Sequence, residues 1–246
     1  MKNFLKRTLT GIIYAALIIG AVLGGGWWFV GIFGIFTVLA ANEFGTICNA
    51  SIGGENIVTR ILDSVGALVL FTGLCCVNIG LLTPRATAVL GGTFFTLYLL
   101  YLIIRLVIQL YSREPSPLTN LAYSYMGQLY IALPLGIMSM YYTLPNGTSL
   151  LMAMFIMIWL SDTGAFLVGS MMGRHKLFPR ISPGKTWEGT IGGIIFVILS
   201  GVVMKTCFGQ YFESVSMLLL CSMGVVVAIF ATWGDLCLLY TSDAAD

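Results

Sequence analysis

Charge is what this sequence has least of. Only 9% of its 246 residues are Asp, Glu, Lys or Arg, against roughly 25% in ordinary soluble domains. That excludes a soluble fold, which could not hide so much apolar surface from water. Histidine occurs once, at His175, so a histidine metal cluster is excluded and a lone general base is a weak reading. The six cysteines are Cys48, Cys75, Cys76, Cys207, Cys221 and Cys237. They form no CxxC pair and mostly sit within apolar runs, as small packing residues rather than a disulfide framework. Internal repeats, low-complexity stretches and linkers are also missing. The basic start (Lys2, Lys6, Arg7) and following apolar stretch resemble a signal peptide, but no A-x-A site follows. The stretch therefore reads as a first membrane helix.

What the chain does have is apolar length. Hydrophobic residues make up 58% of it, and the mean hydropathy is +0.96. In lipid every backbone polar group must be satisfied within a helix or a closed barrel. The apolar runs are continuous rather than alternating, which favours helices. A spanning helix takes about 20 apolar residues. Segments of that kind fall near 9–23, 27–47, 61–82, 87–110, 123–143, 148–171, 189–207 and 215–236. The predicted fold is all-α, a polytopic transmembrane bundle of about eight helices with both termini cytoplasmic.

The distribution of basic residues supports that orientation. With the N-terminus in the cytoplasm, Lys2, Lys6, Arg7, Arg60, Arg113, Arg174, Lys176, Arg180 and Lys185 fall on that side. Only Arg85 and Lys205 fall opposite. Arg105, near the cytoplasmic end of the fourth segment, is expected to snorkel toward water.

A charge inside a spanning helix is costly and usually functional. Asp162 is such a charge, about 15 Å from the cytoplasmic end of the sixth segment at 1.5 Å per residue. A carboxylate buried against a partner helix is the structural alternative, and transporters place carboxylates similarly. Ser161, Ala165, Gly169 and Gly173 recur every four residues beside it, a ridge for close helix packing. The longest polar interruption then runs from Gly173 to Glu188. Ser182 is expected as a helix N-cap, with Pro183 at the first helical position and Lys185 beside free backbone N–H groups, an arrangement suited to phosphate. Arg174, Lys176 and Arg180 would attract an anionic nucleotide or headgroup. Gly184-Lys185-Thr186 is not a Walker A loop, because Pro179 stands where its first glycine would be. Glu43, Asp63, Asp162, Glu188 and Asp235 all map to the cytoplasmic half of their segments. Carboxylates at one depth facing a basic loop imply a site open to the cytosol that can hold Mg²⁺.

W-L-S-D-T-G-A-F at 159–166, G-R-H-K-L-F-P-R-I-S-P-G-K-T-W-E-G at 173–189 and G-D-L at 234–236 resemble the phosphatidate cytidylyltransferase family, also called CDP-diacylglycerol synthases. Glu43 and L-Y-I-A-L-P-L at 129–135 extend the resemblance over most of the chain. It implies a Mg²⁺-dependent transfer from CTP to phosphatidic acid, giving CDP-diacylglycerol and pyrophosphate. By the same resemblance, Asp162 falls on the family's membrane aspartate, and Ser182, Lys185, Thr186 and Glu188 fall on its polar signature loop. Asp235 falls on the aspartate of its G-D-L motif.

The implied site has Asp162, Lys185, Glu188 and Asp235 as catalytic residues, with Asp162 and Asp235 on the metal. Arg174, Lys176, Arg180, Ser182 and Thr186 would bind substrate. Glu188 either ligates metal or orients Lys185. Expected partners are CTP, phosphatidic acid and membrane lipid, with a homodimer left open and no nucleic acid. The expected place is the inner (plasma) membrane with the site facing the cytoplasm. Two rivals stand: CTP-dependent activation of another lipid phosphate, and a secondary transporter using Asp162. After Leu236 the family pattern stops. Residues 1–236 are therefore expected to form one membrane-embedded domain, incomplete at its C-terminus, and 237–246 a foreign tail; without the family's later metal and phosphate residues, the chain as given is expected to be inactive.

Overall fold

The computed structural model describes residues 2–52, 57–80, 82–112 and 116–243. Arg113 and the last three residues of the expected tail lie outside that set, and the side chains of Lys2, Lys6 and Arg7 are likewise not described. Contacts divide the chain into two compact units, residues 1–144 and 145–246.

The first unit begins with α1 (Lys2–Leu23), α2 (Gly26–Ile52), α3 (Ile57–Asn78) and α4 (Pro84–Tyr111). Gly24 and Gly25 make the tight connection between α1 and α2, with Gly25 at φ +92°, open only to a residue without a side chain. Thr83 caps α4 by accepting from the Ala86 N–H, and Pro84 takes a first-turn position where its missing N–H is no loss. Phe29, Phe33, Phe71 and Tyr142 form an aromatic core, and the Tyr142 hydroxyl donates to the Val22 carbonyl at 3.0 Å.

The expected fifth segment, 123–143, is not one regular helix. It runs as α5 (Pro117–Gly127), a π turn (Gln128–Ala132), α6 (Leu133–Ile137) and a 3₁₀ turn (Met138–Thr143). Pro134 is the physical reason. Having no N–H, it cannot bond to the carbonyl four residues back, and the ladder widens before it, with the Leu133 N–H reaching the Gln128 carbonyl.

Arg105 does not snorkel. It is completely buried, and its Nε lies 3.1 Å from Asp63 Oδ1. Its other nitrogens donate to Gln109 Oε1 at 2.7 Å and to Asn120 Oδ1. Ser124 and Tyr101 donate to the same aspartate, at 2.5 and 3.0 Å. Counting along the segment places this charge near a helix end. It turns inward because α3, α4 and α5 each supply polar partners.

The second unit contains α7 (Gly147–Met172), an antiparallel hairpin of β1 (Lys176–Phe178) and β2 (Ser182–Thr186), α8 (Trp187–Cys207), a 3₁₀ turn (Gly209–Phe212) and α9 (Met217–Asp243). The expected small-residue ridge on α7 is there, and α8 answers it with glycines. A Cβ at Gly193 would lie 2.9 Å from the Ser161 carbonyl, and one at Gly189 would lie 2.7 Å from that of Ala165. The two backbones approach closely only because neither side carries a large side chain.

Six helices, α2, α3, α4, α7, α8 and α9, contain stretches long and apolar enough to cross a membrane, and Thr8–Leu23 is a shorter apolar helix. With the broken fifth stretch these match the eight segments read from the sequence. The protein is a polytopic helical membrane protein.

Candidate active site

The site is built by the hairpin, the helices on either side of it in sequence and α9. The expected helix start at Ser182 is wrong. Ser182 and Pro183 lie in β2, with Ser182 opposite Phe178, and α8 begins four residues later at Trp187. Two start signals compete here. Thr186 wins because its hydroxyl accepts from the Gly189 N–H at 3.1 Å while the segment before it pairs with β1. The Trp187 N–H donates to the His175 carbonyl at 2.9 Å and closes the hairpin against the helix.

Strand geometry then separates neighbouring side chains. Thr186 is buried, and Gly169 of α7 and Gly173 just beyond its end leave the room it occupies. Lys185, beside it in sequence, reaches α9. Its Nζ lies 2.6 Å from Asp235 Oδ2 and 3.3 Å from the Thr232 carbonyl. Asp162 of α7 is exposed rather than buried against a helix, and it lies within electrostatic reach of both Asp235 and Lys185. Three elements thus bring together two carboxylates and one lysine that are far apart in sequence.

Glu188 does something else. It neither contacts Lys185 nor joins the two aspartates. Its carboxylate accepts from the N–H groups of Arg174 and His175 at 3.2 Å and lies 2.6 Å from His175 Nδ1. It staples the start of the hairpin to the first turn of α8, where an acid also complements the helix dipole. No helix therefore begins at Pro183 to receive phosphate, and the first turn of α8 carries Glu188 instead. Among the described residues no third His, Cys, Asp or Glu joins a group able to hold a metal. Asp63, expected at the same depth, is held by Arg105 in the first unit. Two exposed carboxylates still fit Mg²⁺, which is bound by one or two carboxylates plus substrate phosphates rather than by a protein cage.

Arg174, Lys176 and Arg180 are exposed on the hairpin. Sequence reading missed the Glu188 staple and the glycine face of α8. The signal for that face was present in Gly189, Gly192 and Gly193, spaced to lie on one side of a helix.

Residues 5–238 match the model of the cytidylyltransferase family. Among curated relatives, the chain is similar to the phosphatidate cytidylyltransferases of Staphylococcus haemolyticus (38% identical over 115 residues) and Staphylococcus epidermidis (39% over 115). That of Staphylococcus aureus is 38% identical over 117 residues. Each match covers 47% of this chain and 42% of the relative, so the match spans less than half the length of those proteins.

Proposed function

The chain belongs to the cytidylyltransferase family, and from that premise we propose that it transfers the cytidylyl group of CTP to phosphatidic acid, giving CDP-diacylglycerol and pyrophosphate. One observation carries the reading: the Lys185–Asp235 contact at 2.6 Å, with Asp162 of a third element in electrostatic reach. Both reactants are anionic, so the main obstacle is repulsion, and catalysis is largely positioning and charge neutralisation.

A phosphate oxygen of phosphatidic acid attacks the α-phosphorus of CTP. The bond from that phosphorus to the oxygen bridging to the β-phosphate breaks, and its electron pair leaves with pyrophosphate. Lys185 would present its ammonium to the nucleotide phosphates as a point charge, with Asp235 and the Thr232 carbonyl fixing its direction. Asp162 and Asp235 would hold Mg²⁺ against the phosphates, and the ion when bound would neutralise charge developing on the leaving group. Thr186 would act through the backbone by capping α8. The site would face the cytoplasm in the cell's inner membrane.

The test is incorporation of labelled CTP into lipid, in a chain extended to the length of its relatives. Asp162→Asn keeps the shape and removes the charge. It should abolish Mg²⁺-dependent transfer while leaving expression in membranes unchanged. Near-normal transfer would show that Asp162 does not hold the metal and overturn the assignment.

A further inference from the structure

The first unit contains a buried polar atom that its own hydrogen bonds leave unmatched. Gln128 opens the π turn and is 2% exposed. Its Nε2 donates twice, to the Asp63 carbonyl at 2.9 Å and to the Tyr101 hydroxyl at 3.1 Å. Its Oε1 has no hydrogen-bond partner among the described residues. Turning the amide over does not cure this. The Asp63 carbonyl can only accept, and the Tyr101 hydroxyl already gives its proton to Asp63 Oδ1 at 3.0 Å. Both neighbours of Nε2 are therefore acceptors, which fixes the amide with its oxygen on the unmatched side. Buried polar atoms are costly to leave so, and nearly all are paired with protein or with ordered water.

Gln128 lines a small cavity. Ala41 and Phe44 of α2 give it apolar wall, while Asp63 and Ser124 share the polar wall with Gln128. It has about 20 Å³ of room for a water-sized sphere. One water needs roughly 10–15 Å³ by that measure, and also two to four polar partners. The size therefore admits a single water and excludes any larger molecule. Asp63 can supply the second partner. A carboxylate offers about four lone-pair sites. Tyr101 and Arg105 donate to Oδ1, and Ser124 donates to Oδ2 at 2.5 Å. Oδ2 thus has a site to spare.

We infer that this cavity is a binding site for one ordered water, which donates one hydrogen to Gln128 Oε1 and the other to Asp63 Oδ2. The water joins the start of the π turn to the Asp63–Arg105 pair. The irregular fifth stretch is then held to α3 by a water bridge as well as by the Gln128 amide. A dry cavity is the first rival. Cavities that stay dry are apolar, and this one has a carboxylate, a hydroxyl and an amide on its wall. A metal ion is the second. Arg105 already sets a positive charge 3.1 Å from Asp63 Oδ1, so a cation there would be repelled, whereas a neutral donor would not.

The 246-residue chain in lipid nanodiscs provides the test, and neither readout needs transfer activity. In an experimental density map at about 2 Å, an isolated peak should stand about 2.5–3.0 Å from both Gln128 Oε1 and Asp63 Oδ2, the usual range for O–H···O bonds. In magnetic resonance, with glutamine side chains labelled with nitrogen-15, the Gln128 amide protons should show a cross-peak to water. That cross-peak should be lost in Gln128→Met, which keeps the length of the side chain and removes its amide. Should Gln128→Met not fold, the density of the unaltered chain decides. A cavity without a peak is dry and overturns the inference. A peak bonded to Asp63 alone also overturns it, because Gln128 Oε1 would then remain unmatched. So does a peak whose occupancy rises and falls with sodium, potassium or magnesium concentration, which would make the cavity a cation site.

Discussion

Lys185 and Glu188 sit three residues apart in one recognisable motif, yet they face different tasks. Lys185 meets Asp235 of α9, while Glu188 holds the backbone of Arg174 and His175. In the extended chain, Lys185→Ala should lower turnover or CTP affinity at least tenfold, about 1.4 kcal/mol. Arg180→Ala should do less, because Arg180 lies at the turn between β1 and β2, outside the Lys185–Asp235 contact. Equal damage from Arg180→Ala and none from Lys185→Ala would move the phosphate site to the turn. Glu188→Ala makes a different prediction, readable without activity. The Arg174 and His175 amides lose their acceptor, so their hydrogen exchange should quicken at least tenfold, about 1.4 kcal/mol of lost protection. Unchanged exchange would mean that the staple does not hold the hairpin. Asp162 could be picked out of the sequence because a charge in an apolar run stands out, and Lys185 and Asp235 because they fall in stretches that resemble the family's motifs. Their partners could not. Which way Lys185 points depends on whether β2 is a strand or a helix start, and Ser182-Pro183 and Thr186 are both good local signals for a start.

At the scale of elements, the spans were legible and their interruptions less so. An apolar run of sufficient length has few alternatives in lipid, so the long helices follow from hydropathy. The irregular stretch from Gln128 to Thr143 required weighing one proline against many helix-compatible neighbours. The buried cluster around Arg105 was illegible for another reason. Its partners Asp63, Asn120 and Ser124 come from two other helices, α3 and α5, and no local pattern announces that they converge. This cluster ties α3, α4 and α5 together. Removing one partner of a buried charge pair typically costs about 3–5 kcal/mol, since the other charge is left uncompensated. Arg105→Leu should therefore destabilise the first unit strongly in detergent-titration unfolding. Adding Asp63→Leu should restore part of the loss, because no unpaired carboxylate then remains. A double variant no more stable than Arg105→Leu would show that the ion pair is not what the cluster protects.

At the scale of the whole molecule, the question is which way the bundle faces the membrane. The proposed chemistry needs the hairpin in the cytoplasm, where CTP is supplied. Both ends of α7 are well placed to report this. The helix runs from Gly147 to Met172, 26 residues, or about 39 Å at 1.5 Å per residue, enough to reach from one interface to the other. Pro145, just before it, is exposed, as is Lys176 just beyond its far end. The basic residues Arg174, Lys176, Arg180 and Lys185 all lie at that far end, as the positive-inside rule requires of a cytoplasmic loop. Single cysteines at Pro145 and Lys176, in a background whose native cysteines are replaced by alanine, should therefore label from opposite sides of intact spheroplasts. The Pro145→Cys site should react with an impermeant maleimide added outside, and the Lys176→Cys site only after the membrane is opened. Reaction of both from one side would mean that α7 does not cross. Reaction of Lys176→Cys alone from outside would invert the bundle and remove the hairpin from its nucleotide.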